Sequence, residues 1–338
     1  DKDMRVMREL AFYIYLMLVS LAFISCKRDG KGLLTPASSG RPYEILVVAD
    51  DSYWLDSDST LFGVLDENVP ALPQSERFFH ISRIRPESYN RSMRLFRNII
   101  IVDVDKHKYT QSKFNYLRDA FSSPQMILTI QSPDRTSYVD YVTKNGDAII
   151  DFFTKAETDR EIASLKKKHN KVISERIKRI FDCDIWMFAE MNSYKEGNNF
   201  FWASTYLNDL NFVMYTYPYS DTSTFTKTYF IHKRDSVMKI NIPGSESGMY
   251  METADSNFVQ TRNISVNGTC AFEVRGLWEM KNDAMGGPFV SHVQIDKKKQ
   301  RVVVVEGFVY DPAHLKRDKI RKLSAALCTL RLPSVEKI

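Results

Sequence analysis

The sequence predicts an α+β fold: two mixed or antiparallel sheet halves with helices packed on one face, preceded by a signal peptide and a flexible tether. Three observations carry this expectation. Short β-branched and aromatic runs bounded by turn residues recur along the chain, while helical periodicity is concentrated in a central stretch and at the C-terminus. The 338 residues are 43% hydrophobic and 26% charged, the balance of an ordinary globular chain and not of a disordered, collagen-like or polytopic membrane protein. The apolar residues are unevenly spread: positions 10–24, LAFYIYLMLVSLAFI, carry no charge, although the mean hydropathy of the whole is −0.32.

Residues 1–25 read as a lipoprotein signal peptide, with Arg5 and Arg8 before the apolar run and small Ser25 after it. The run is shorter than the roughly 20 residues that a stable membrane-spanning helix needs. Cys26 follows directly, where bacterial lipoprotein signals are cleaved and the thiol acylated, so it is the expected lipidation site. Phe23-Ile24-Ser25-Cys26 is a relaxed lipobox with Phe where Leu is usual. Residues 26–42, with KRDGKGLLTPASSGRP after the cysteine, read as a lipidated flexible tether. Residues 1–25 hold three basic and three acidic groups, so the net charge of +5 is the same without them. Such an excess lacks the concentrated basic face that nucleic acid requires.

Two α+β halves follow, at 43–191 and 200–332, divided by the polar stretch 192–199. In the first, EILVVAD from Glu44 is a buried strand and 59–67 a short helix. FFHISRI (78–84), NIIIVDVD (98–105) and QMILTIQS (125–132) are strands, and 109–121 reads as a helix. Helices are expected over 136–153 and 158–180. The latter opens on a Thr158/Glu161 capping box and is expected to bury Ile162, Leu165, Val172, Ile173, Ile177 and Ile180. Its lysines and arginines, from Lys166 to Arg179, read as a solvated face.

In the second half, DIWMFAEM (184–191) and the aromatic run 200–219 read as strands, and RDSVMKINI ends a short helix. Tyr215, Tyr217 and Tyr219 share one face, Phe212 and Met214 the other. Further strands follow in MYMETA, FVQTRNISV, CAFEVRGLWEM, FVSHVQIDKKKQ and RVVVVEGFVY, with Val266-Asn267-Gly268 as a turn. The last helix takes Asp311 as N-cap and Pro312 at its first position, with Ile320, Leu323, Leu327 and Leu330 as its buried stripe. Cys183, Cys270 and Cys328 form no C-x-x-C pair and read as free buried thiols.

Phosphate-binding, dinucleotide, zincin and EF-hand strings are absent. Gly244-Ser245-Glu246-Ser247-Gly248 has Glu where a nucleophile elbow needs Ser. The six histidines are scattered, so no metal and no cofactor is expected. His169 lies on an apolar helix seam, where a packed, hydrogen-bonded ring is expected. His292 is the best acid/base candidate, because strand pairing would set it beside Glu273 or Glu306. The densest cluster is 276–289, where Trp278, Glu279, Lys281, Asn282, Asp283, Gly286 and Gly287 are candidate binding residues. The same Asn-Asp and Gly-Gly-Pro chemistry also suits a tight chain reversal, and both readings stand.

At these residues a resemblance enters. GLWEMKNDAMGGPF, VVVVEGFVYDP and KRDKIRKL, with RDS, IPG and YMET upstream in order, resemble an uncharacterised lipoprotein family of Bacteroidota, a domain of unknown function. The likeness covers nearly the whole mature chain, although Ala284 stands where an aromatic is expected. It implies an outer-membrane lipoprotein with no established catalytic residues. Lys27-Arg28-Asp29 is basic first, which favours the periplasmic side over the cell surface. The expected function is therefore that of a lipid-anchored, periplasm-facing envelope protein, a binding or assembly component with an envelope protein or glycan as partner. The alternative is a hydrolase of an envelope polymer using Glu273, Glu279, Asp283 and His292, which requires two carboxylates in one cleft.

Overall fold

The computed structural model describes residues 35–54 and 59–333. The expected signal peptide, Cys26 and the first part of the tether lie outside the described residues.

The α+β class holds. In the first half the β-branched runs of β1 (Glu44–Val48), β3 (Asn98–Val104) and β5 (Met126–Ser132) are buried on both faces and pair in parallel. β2 (His80–Ile84) extends them on one side and β4 (Lys113–Arg118) on the other, in the order β2-β1-β3-β5-β4. α1 (Thr60–Leu65), α2 (Arg135–Lys144) and α3 (Gly146–Lys167) cover one face around Ile45, Ile100 and Leu128. Short 3-10 turns at Pro86–Ser88 and Met93–Leu95 cover the other.

β4 replaces the helix expected over 109–121. The segment alternates with a period of two, which sets Phe114 against Tyr141 and Tyr116 against Phe152, with ring centroids 4.8 and 5.8 Å apart. The tether reading also fails for its last residues. Ser38 N–H donates to the Ser123 carbonyl and Ser39 N–H to that of Leu95, pinning this stretch to the first half.

α3 runs straight through the expected capping box, because Thr158 Oγ1 donates to the Thr154 carbonyl instead of starting a helix. The break comes later, where the Asn170 side chain accepts from Ile173 N–H and caps α4 (Lys171–Phe181). α4 buries Ile173, Ile177 and Phe181 in the core of the second half, so the change of body falls at 168–170. The polar stretch 192–199 is no linker. Most of it is β6 (Met191–Gly197), an edge strand exposed along nearly its whole length and therefore polar like a loop. The strand expected at 184–191 is irregular instead, with Trp186 stacked on His169 and its N–H donating to Thr329 Oγ1.

The second sheet is antiparallel. Its order is β10 (Gln260–Val266), β11 (Thr269–Met280), β12 (Gly286–Asp296), β13 (Arg301–Val309), β8 (Leu210–Pro218), β7 (Phe200–Thr205) and β6. β9 (Met251–Thr253) pairs with the end of β11. Helices cover both faces of this sheet, a correction to the single covered face expected. α5 (Lys227–Asn241) packs Phe230 and Met238 near Tyr215, Val302 and Val304. α4 and α6 (Arg317–Leu327) lie with Val303 and Val305 on the opposite face. Four consecutive valines in β13 are what a strand buried on both faces requires. Gly307 permits the contact with α6, since a Cβ there would lie 2.6 Å from Leu323 Cβ.

α6 begins at Arg317 and not at Asp311-Pro312. The buried Glu76 carboxylate, from the first half, accepts the N–H groups of Lys316 and Arg317 at 2.8 and 3.0 Å. Arg317 Nη1 and Arg321 Nη2 reach back to the Arg77 and Phe78 carbonyls, both at 2.7 Å. Cys183, Cys270 and Cys328 are free, with Cys183 buried and Cys328 half-buried. Cys270 is exposed on β11, against expectation, because its side chain faces outward near the sheet edge.

Candidate functional site

The β11–β12 register places Trp278 opposite Gly287 and Glu279 opposite Gly286. Trp278 is buried, donates from Nε1 to the Val309 carbonyl at 3.1 Å and meets Phe308 edge-on. Gly287 is demanded by packing, since a Cβ would come within 2.0 Å of that same Val309 oxygen. Gly286 would bring a Cβ 2.9 Å from the Trp278 carbonyl. Asn282 adopts φ +62°, and Asp283 Oδ1 accepts the Ala284 N–H at 2.6 Å. The reversal thus accounts for Gly286, Gly287 and Asn282. Glu279, Lys281 and Asp283 are exposed, with Lys281 3.9 Å from Glu252 and over the Tyr250 ring.

Behind this turn lies a cleft of about 260 Å³. Trp202, Trp278, Phe308 and Tyr310 supply its aromatic walls, and Met251, Met280, Met285, Ile242 and Pro243 add apolar surface. Asp283 is the one carboxylate in its lining. Two polar side chains of the walls are bonded internally: Trp202 Nε1 donates to Asn211 Oδ1, and Asn211 Nδ2 to the Asn208 carbonyl. Met side chains at such a surface adapt to irregular apolar shapes.

The residues named for hydrolysis do not assemble. His292 does stand opposite Glu273, with Nε2 3.3 Å from Oε2, but both are buried. Glu273 also takes Arg262 Nε at 2.6 Å and Arg275 Nε at 3.0 Å. Burial alone would raise this carboxyl, yet Arg275 and His292 outweigh it and hold it well below the usual carboxylate range. Glu279 lies six residues further along the strand, roughly 20 Å away at about 3.3 Å per residue, and Asp283 beyond it in the turn. Of Glu273, Glu279 and Asp283, no two line one cleft, as glycoside hydrolysis would require of them. Among the described residues, no three His, Cys, Asp or Glu cluster to hold a metal ion, and no helix is long and apolar enough to cross a membrane.

Two charged groups stand out that the sequence reading passed over. Arg234 is fully buried, donates from Nε and Nη2 to Glu306 at 2.7–3.1 Å and lies over the Phe289 ring at 4.1 Å. Its signal was present, since Phe230, Arg234 and Met238 recur every four residues and Glu306 interrupts a run of valines. Arg321 sits at the seam of the two halves, 3.7 Å from the Tyr43 ring centroid. It has no local signature, because the acceptors and rings around it come from the other half.

Residues 170–329 match the family described as Domain of unknown function (DUF4837). Residues 38–166 match a second, Domain of unknown function (DUF8532). The gap between these matches falls on the break between α3 and α4. No curated protein matches the chain. Cyanobacterial PsbP (CyanoP) from Synechocystis is similar in structure at 6% identity and a TM-score of 0.32, over 45% of this chain and 86% of that one. The Ran-binding protein Mog1p of Saccharomyces cerevisiae is similar at 10% identity and a TM-score of 0.29, over 44% and 89%. A protein of Bacteroides thetaiotaomicron gives 9%, a TM-score of 0.26 and 46% of each chain.

Proposed function

We propose that this chain is a lipid-anchored, periplasm-facing protein of the outer membrane that binds an envelope partner and does not transform it. The apolar cleft behind the Trp278–Phe289 turn carries the binding reading. Its volume of about 260 Å³ is below the roughly 300–1,000 Å³ of small-molecule pockets, and its two indole N–H groups and the Asn211 amide are already bonded internally. Such a cleft suits one apolar or aromatic anchor side chain of a partner protein, with Lys281 and Asp283 as a charged rim. With both indole donors and the Asn211 amide already used, a glycan, which needs free hydrogen-bonding groups, is the weaker fit.

The anchor rests on the sequence alone, on Arg5, Arg8, the uncharged run and Cys26. Two measurements test the reading. Cys26→Ser should abolish incorporation of labelled palmitate and release the protein from the membrane fraction; retention of label would refute the anchor. A photo-crosslinking residue at Met285 should give a discrete adduct in intact cells, whereas one at exposed Tyr116 in β4 should not. Equal labelling from both positions, or none from Met285, would refute the cleft as the binding surface.

A further inference from the structure

A second cavity, of about 590 Å³, opens on the seam between the halves. The first half contributes Arg41, Tyr43, Arg97 and Arg160 to its wall, and α6 contributes Arg321 and Lys322. These five cations face three lining carboxylates, Glu157, Glu161 and Asp318, which leaves a formal excess of two positive charges. The carboxylates are largely spoken for. Glu157 is buried and shared between Arg97 and Arg160, both at 2.7 Å, and Asp318 is bonded to Arg317 Nε at 2.9 Å.

Arg321 is the deepest of the cations, 7% exposed. Its Nη2 donates to the Phe78 carbonyl, its guanidinium lies against Tyr43, and Nη1 has no acceptor among the described residues. Burial brings this guanidinium down to about 10; Tyr43 and Asp318 oppose the shift, while Arg317 and Arg275 add to it. An anion brought to this wall would reverse that destabilisation. A cavity with low-dielectric walls and one sign of charge in excess concentrates oppositely charged ligands, and guanidinium forks match tetrahedral oxyanions.

We infer that the seam cavity binds a phosphate group, as inorganic phosphate or on a small phosphorylated molecule, through Arg321 with Arg41 and Lys322. A phosphate monoester carries about −1.5 to −2 at neutral pH, which matches the excess of two, whereas a single carboxylate would leave half of it uncompensated. This site is separate from the apolar cleft and can fail or stand independently of it.

Isothermal titration of the full chain with inorganic phosphate, at constant ionic strength set by potassium chloride, tests the inference. One phosphate per chain is expected. Arg41→Gln with Lys322→Gln should weaken it about tenfold together, since each exposed cation contributes about threefold. Arg321→Met should weaken it by at least about tenfold, the scale of a charge-assisted hydrogen bond. Should Arg321→Met fail to fold, the double variant decides alone, because Arg41 and Lys322 are exposed and the one core group that Lys322 meets is the Phe188 ring, 5.3 Å from its Nζ. Organic phosphates binding more tightly than inorganic phosphate would identify the phosphorylated molecule as the ligand. No binding above chloride, equal affinity in the double variant, or citrate binding more tightly than phosphate would overturn the inference.

Discussion

The Arg234–Glu306 pair gives a quantitative test of how the wall behind the cleft is held. Both side chains are fully buried, and Arg234 Nη2 also lies 3.7 Å from Met251 Sδ, which lines the cleft. Arg234→Met removes three guanidinium contacts to Glu306 and leaves its buried carboxylate with only Ser291 Oγ, at 2.6 Å. Removing one member of a buried pair in this way costs about 3–5 kcal/mol, a large part of the roughly 5–15 kcal/mol that stabilises a typical domain. Replacing both with apolar residues of similar volume is often close to neutral. The double-mutant cycle is therefore Arg234→Met, Glu306→Leu and their combination, followed by urea unfolding with tryptophan fluorescence and circular dichroism. Each single variant should lose about 3–5 kcal/mol and the double variant less than either. Additive losses, or a loss below about 1 kcal/mol in Arg234→Met, would refute the pair as a coupled internal brace.

Three further outcomes follow from the geometry. Glu76→Ala should lower stability by about 2–3 kcal/mol, because two N–H groups at the start of α6 lose a charged acceptor; hydrogen exchange should show its first turn deprotected, and unchanged exchange there would exclude the cross-half cap. Gly287→Ala should cost at least about 2 kcal/mol by forcing a Cβ into the Val309 carbonyl that accepts from Trp278, read as a lowered urea midpoint. The Glu273 carboxyl is held below its unfolded value of about 4.3, so its contribution is present above that pH and lost as pH falls towards the folded value. Acid unfolding of Glu273→Gln should accordingly show a shallower loss of stability below about pH 4.3 than the wild type, and parallel curves would remove Glu273 from the linkage.

Strands whose burial is read within a few residues were legible in the sequence. β1, β3, β5 and the run β10 to β13 lie where β-branched and aromatic residues cluster between turn signals. The opposite placements of Tyr215 and Met214 followed from alternation alone. The misread elements depend on partners far along the chain. β4 is short and polar, and only Tyr141 and Phe152 make its alternation count. The start of α6 is set by Glu76, some 240 residues earlier. At the candidate turn 276–289, Gly286 and Gly287 answer to close contacts with Trp278 and Val309, groups distant in sequence from one another. The cleft behind it draws Trp202 and Phe308 from other strands, and no local pattern announces that meeting.

α6 makes the two halves a single working unit. Ile320, Leu323 and Leu327 on one side of it belong to the second core, while Arg317 and Arg321, one turn apart on another side, hold carbonyls of the first half. Parting the halves would strand Glu76 and two helix N–H groups at once. Each of these hydrogen bonds to a charged group is worth about 1.5–3 kcal/mol, all of it lost on parting. The wall of the seam cavity is therefore preformed in the intact chain, and an anion entering it meets Arg321 already seated on Tyr43 without first ordering a loop. That removes the ordering cost that weakens ligand sites assembled on binding, and it is why a cavity lined from both halves can select a ligand by charge although neither half carries the whole set of cations.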